Sequence, residues 1–201
     1  VLFTSDFFKS ENVRMARVKS PAELVVGAYR ITGGFEYPEA DGMSKDGIGP
    51  ALGDELLNPI FSKQSAGASV AMGQFLLGPP SVEGWYGGAD WVNTGAMVER
   101  INFASARFGN TDRPGVRSII DKVKSKANDN SGTITPEGLV DICIEQLCMF
   151  NVSEVTRKGI VDYTKEWGPL NFTNSVETAN AEKNIVATLQ LIVTSMEYQF
   201  A

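Results

Sequence analysis

Lys19-Ser20-Pro21-Ala22-Glu23-Leu24-Val25-Val26-Gly27-Ala28-Tyr29-Arg30-Ile31-Thr32-Gly33-Gly34 is the stretch whose reading decides the fold class. Ser20, then Pro21, then Glu23 form the pattern of a helix N-terminus. The serine hydroxyl caps, the proline presets φ at the first helical position, and the acid reaches back to the cap. Leu24, Val25, Ala28 and Tyr29 follow at helical spacing, and Gly33-Gly34 is a stop signal. The pattern predicts a helix from Ser20 to about Thr32.

The same grammar recurs along the chain. A short helix is expected around Ser5 to Val13, and a small-residue helix from Ser65 to Leu77. Thr94 reads as the cap of a helix to Phe108, with Met97, Val98, Ile101 and Ala104 on one face. Pro114 opens a helix to Lys126, and Thr135-Pro136 opens the next, through Leu139, Ile142, Cys143, Gln146 and Leu147. Ser153 caps a helix to Trp167. The last helix is expected from Ala181, with Ile185, Leu189, Ile192, Val193, Met196 and Phe200 as one continuous face. No convincing strand alternation and no internal repeat is visible. The expectation is an all-α, irregular multi-helix bundle with long Gly/Pro-rich loops at 35–64 and 78–94. Residues 1–201 read as one helical domain, with at most a small hairpin or irregular element in its loops.

Bulk composition narrows the chemistry. The 201 residues carry 18 Lys+Arg against 24 Asp+Glu, a net charge of −6, and no histidine. Without histidine this stretch holds no Ser-His-Asp or Cys-His catalysis, no His-ligated zinc and no His general base. The acidic balance argues against a nucleic-acid partner, which needs clustered cations. Lys122, Lys124 and Lys126 alternate and so fall on different helix faces. No run of about 18 apolar residues is present, so no transmembrane segment is expected. Cys143 and Cys148 read as buried small hydrophobes on one helix, about 140° apart and unable to pair there.

Several motifs in the chain also have a plainer reading. Asn130-Ser131-Gly132-Thr133-Ile134-Thr135-Pro136-Glu137 imitates a calcium loop, but aligning Gly132 to its sixth position puts Ala127 first and Gly138 last. Both end carboxylates are missing, and a turn before a Thr-Pro helix start explains the pattern better. Gly78-Pro79-Pro80-Ser81-Val82-Glu83-Gly84-Trp85-Tyr86-Gly87-Gly88-Ala89-Asp90-Trp91 cannot be a regular helix. Trp85, Tyr86 and Trp91, beside Glu83 and Asp90, are the candidate binding residues, able to stack on a sugar ring or peptide. Inward-folded tryptophans that lock the loop are the favoured plainer reading. Glu83, Asp90 and Glu99 are the candidate acid–base carboxylates, though carboxylates this common are mostly solvated. Phosphate loops and a Ser-x-x-Lys nucleophile are absent from the sequence. Asn151-Val152-Ser153 and Asn171-Phe172-Thr173 fit the glycosylation sequon, relevant only in a eukaryotic secretory pathway.

A family resemblance runs through the same blocks. Lys19 to Gly27 with Arg30, Met72-Gly73-Gln74, and Pro79-Pro80-Ser81-Val82-Glu83-Gly84-Trp85 carry its first part. Gly87-Gly88, Trp91-Val92-Asn93-Thr94, Glu99-Arg100-Ile101-Asn102-Phe103-Ala104 and Glu197-Tyr198-Gln199-Phe200-Ala201 continue it in order. The chain resembles the C-terminal part of the bacterial domain-of-unknown-function family 1800. The resemblance implies a predominantly helical, often exported protein, hence a periplasmic or extracellular location, and a longer chain whose N-terminal part is not represented. It implies no activity and no catalytic residue, metal or cofactor.

Two functions are therefore expected to compete. One is a non-enzymatic structural or interaction module of a larger bacterial cell-envelope assembly, partnered by another protein or by the missing N-terminal part. The other is an extracellular carbohydrate- or peptide-binding or hydrolysing protein using the Trp85–Trp91 loop.

Overall fold

The computed structural model describes residues 17–33, 63–85, 87–129, 132–149 and 152–200, together with Ser5, Asp6 and Ser10. The expected Ser5–Val13 helix, most of the 35–64 loop and Tyr86 lie outside the described residues. In chain order the elements are α1 (Pro21–Thr32), α2 (Lys63–Ala71), a 3-10 helix (Gly88–Val92), α3 (Thr94–Phe108) and α4 (Pro114–Asp129). There follow β1 (Thr133–Ile134), α5 (Pro136–Gln146), α6 (Glu154–Lys165), β2 (Leu170–Asn171), α7 (Ser175–Thr194) and α8 (Met196–Gln199). The fold is all-α. Its β structure includes an antiparallel two-residue ladder, Thr133 opposite Asn171 and Ile134 opposite Leu170, and an isolated bridge between Ser81 and Gly84. Within the 201 residues two compact units form, Val18–Phe103 and Ala104–Ala201 with Val1–Arg17.

In the Val18–Phe103 unit, α1 forms as its caps dictate. Glu23 N–H donates to Ser20 Oγ (3.3 Å), Ser20 N–H donates to Glu23 Oε2 (2.7 Å), and Gly33 closes the helix at φ 78°. Leu24, Val25, Ala28 and Tyr29 are buried, and the helix packs against α2. The α2 helix ends at Ala71, six residues before the expected Leu77. Gly73 takes φ 94°, and the bonds Gln74 N–H to Ser69 O and Gly73 N–H to Val70 O turn the chain out of the helix. A second correction concerns α3: Ala96 N–H donates to Asn93 Oδ1 (3.0 Å), so Asn93 is the cap and Thr94 the first helical residue. The buried face of α3 in this unit is Ala96 and Arg100, while Val98 is exposed. The expected face through Met97 and Val98 assumed that an arginine stays outside.

In the second unit α7 is the centre, packing on α4, α5 and α6. It begins at Ser175, not Ala181, because Asn174 Oδ1 accepts from Glu177 N–H (2.9 Å) and starts a polar first turn that carries no apolar period. Its buried face holds Ile185, Leu189, Ile192 and Val193. The expected continuation to Met196 and Phe200 fails. Ser195 is extended (φ −67°, ψ 157°), so the helix breaks, and Met196 is exposed. Thr135 and Ser153 cap α5 and α6 as expected, accepting from Gly138 N–H and Thr156 N–H (both 3.2 Å).

The calcium-loop imitation has a structural counterpart. Gly132 (φ 82°) precedes Ile134 by two residues and Gly168 (φ 69°) precedes Leu170 by two; Ile134 and Leu170 then pair. The cysteine reading is corrected in part. Cys143 is buried, but α5 stops at Gln146 with Leu147 as its C-cap, and Cys148, one residue further on, is exposed at φ 54°.

Candidate functional site

Where Gly73 ends the preceding turn, the sequence Phe75-Leu76-Leu77-Gly78-Pro79-Pro80 cannot re-enter a helix and runs on as an irregular loop. Ser81 to Gly84 make a tight turn. Gly84 N–H donates to Ser81 O (3.1 Å), Glu83 N–H to Ser81 Oγ (3.2 Å), and Ser81 Oγ–H to Gly84 O (3.3 Å). Gly84 sits at φ 104°, where a side chain would be strained. The turn holds Val82 fully exposed at its tip. Phe75 is 58% exposed and Leu77 81%. The Phe75 ring lies on Gly78, where a Cβ would come within 2.4 Å of it.

The sequence-derived residues are placed as follows. Trp91 is buried (6% exposed) in the 3-10 helix. Trp85 is half-buried, and its indole N–H donates to Phe75 O (3.2 Å), fastening the loop to the exposed apolar stretch. Glu83, Asp90 and Glu99 are all exposed. Tyr86 lies outside the described residues. Sequence reasoning missed Phe75, Leu77 and Val82. The usable signal was the apolar triplet Phe75-Leu76-Leu77 between Gly73 and Pro79, which no helical period explains. The loop therefore exposes apolar side chains, with the Glu83 carboxylate in the same turn as Val82. Among the described residues no three His, Cys, Asp or Glu side chains gather as metal ligands.

A second cluster lies at the N-terminus of α1. Arg100 is fully buried, and its Nη2 donates to Lys19 O (2.8 Å) across 81 residues of sequence. Gln74 Oε1 accepts from Ala22 N–H (2.8 Å) across 52, capping a donor of the first turn that the helix itself leaves open. Burial, and then the Arg100 charge, lower the Lys19 ammonium from its ordinary pKa, with Glu23 opposing. The blocks Lys19–Glu23, Met72–Gln74 and Glu99–Arg100 thus meet at one place. The bonds of Arg100 to Lys19 O and of Ala22 N–H to Gln74 join these blocks and order the unit.

Together these features define an all-α protein with a buried polar cluster at the start of α1 and exposed apolar side chains on the loop that follows α2. The chain belongs to the family described as protein of unknown function DUF1800, whose family model matches residues 1–200. Comparison with curated proteins and with solved structures gave no match. No helix among the described residues is long and apolar enough to cross a membrane.

Proposed function

We propose that the chain is a non-enzymatic interaction module, docking a protein partner on the loop from Phe75 to Trp91. The observation that carries this reading is the exposure of Phe75, Leu77 and Val82 together on a loop that hydrogen bonds hold in shape. Covering each such side chain is worth about 1.5–3 kcal/mol. A preformed loop also loses little conformational entropy on binding. With Trp91 buried, the face rests on Phe75, Leu77, Val82 and the open edge of Trp85 rather than on a pair of tryptophans. The family resemblance supports a cell-envelope or extracellular assembly as the setting.

Co-purification and light scattering of the full-length protein test the reading. Wild type is expected to carry a protein partner, and Phe75→Ser with Leu77→Ser is expected to lose it at unchanged melting temperature. A clean monomer without partner, or a partner retained by the double variant, overturns it.

A further inference from the structure

From residue 64 to residue 99 the sequence contains no Lys or Arg, and its acids are Glu83, Asp90 and Glu99. All three are exposed, and Glu83 lies within the turn that presents Val82. The described cations of the same unit are Lys19, Arg30, Lys63 and Arg100, all outside this span of sequence; Arg100 is buried and Lys19 half-buried. Within this span, the apolar loop residues are accompanied by acids alone. This span contributes half of the net −6 while making up just under a fifth of the chain.

Resting on the docking reading above, we infer that the partner presents a basic amphipathic segment. Its apolar face covers Phe75, Leu77 and Val82, and its Lys or Arg side chains meet Glu83, Asp90 and Glu99. Charge complementarity selects this occupant. A second copy of the chain would set acids against acids, which like-charge repulsion disfavours. An anionic lipid surface would be repelled for the same reason. A cationic segment is attracted before contact, and its association weakens as salt screens the field.

The test uses the whole chain and a fluorescein-labelled 18-residue Leu/Lys amphipathic peptide, read by anisotropy. Three variants are compared. One neutralises the loop (Glu83→Gln, Asp90→Asn, Glu99→Gln). One removes the same charge elsewhere (Asp121→Asn, Glu154→Gln, Glu166→Gln). One strips the apolar face (Phe75→Ser, Leu77→Ser, Val82→Ser). Tenfold or greater loss of affinity is expected for the first and third, and less than twofold for the second. A Leu/Glu peptide and phosphatidylcholine vesicles are expected not to bind. Equal losses in the first two variants would show attraction to net charge alone and overturn the inference. So would binding of the Leu/Glu peptide, or vesicle binding that the third variant abolishes. If the third variant binds normally, the docking reading itself fails. If only the third loses affinity, the docking face stands and its charge preference is refuted.

Discussion

Glu197 completes the N-terminal cap of α6 from 44 residues away: Ser153 donates to its Oε1 through both the backbone N–H (3.3 Å) and the hydroxyl (2.7 Å). In a local capping box the third residue of the helix would supply this carboxylate, but here that residue is Thr156. A glutamate on the four-residue α8 takes the role and ties the end of the chain to α6. Among the described residues its second oxygen, which is buried, has no hydrogen-bond partner.

The lock is pH-dependent. Burial by itself would raise the Glu197 carboxyl, but hydrogen bonds from Thr156 and Ser153 outweigh it and hold the pKa below the ordinary carboxylate value. A folded-state pKa below the unfolded one, about 4.3, gives stability that is present above that value. It is lost as pH falls through the folded value. Urea midpoints should hold from pH 8 to 5 and drop below about pH 4. Glu197→Gln should be about 1–2 kcal/mol less stable at pH 7 and show a shallower acid drop. An acid profile identical to wild type would refute the lock.

Arg100 should tolerate little. Removing it takes away a buried donor to Lys19 O, 81 residues distant. Arg100→Ala is expected to cost about 3 kcal/mol or more in denaturant unfolding. Arg100→Lys should recover less than half of that, because an ammonium lacks the planar fork. Full recovery by lysine would show that charge alone matters.

Two glycines should respond in opposite directions to alanine. At Gly109 a Cβ would lie 2.6 Å from Gln190 Nε2 and 2.9 Å from Ser105 O, the groups that Gln190 joins by hydrogen bonds. Gly109→Ala should lose about 1–3 kcal/mol. Gly159, inside α6, has open space around its Cβ position, and Gly159→Ala should gain about 0.5–1 kcal/mol. Chemical unfolding of both variants checks the signs.

The two thiols should separate by reactivity. Burial pushes the Cys143 thiol up to about 12, whereas Cys148 is exposed. Iodoacetamide at pH 8, read by mass spectrometry, should label one cysteine per folded chain, at Cys148, and both after denaturation. Prompt labelling of Cys143 in the folded protein would contradict its burial.

What was legible in the chain was local. The Ser20–Glu23 box, Pro114, Thr135-Pro136 and Ser153 mark helix starts because a cap and the N–H groups that donate to it, or a proline at the first helical position, lie within four residues. The irregularity of 78–94 was legible because Pro and Gly deny the helix its bonds and angles. Within that loop the sequence could not say which apolar groups face out. Trp91 turned inward while Phe75 and Leu77, read as the end of a helix, turned outward once Gly73 ended α2.

By itself, then, the sequence determined the all-α class, most helix starts and the family, since these rest on short-range spacing and shared blocks. Only the tertiary structure decided that Gln74 caps α1, that Arg100 lies inside, that Glu197 caps α6, and that Phe75, Leu77 and Val82 stand exposed. Each of these depends on groups tens of residues apart, or on which face of a loop packing leaves uncovered. Composition and period carry no record of either.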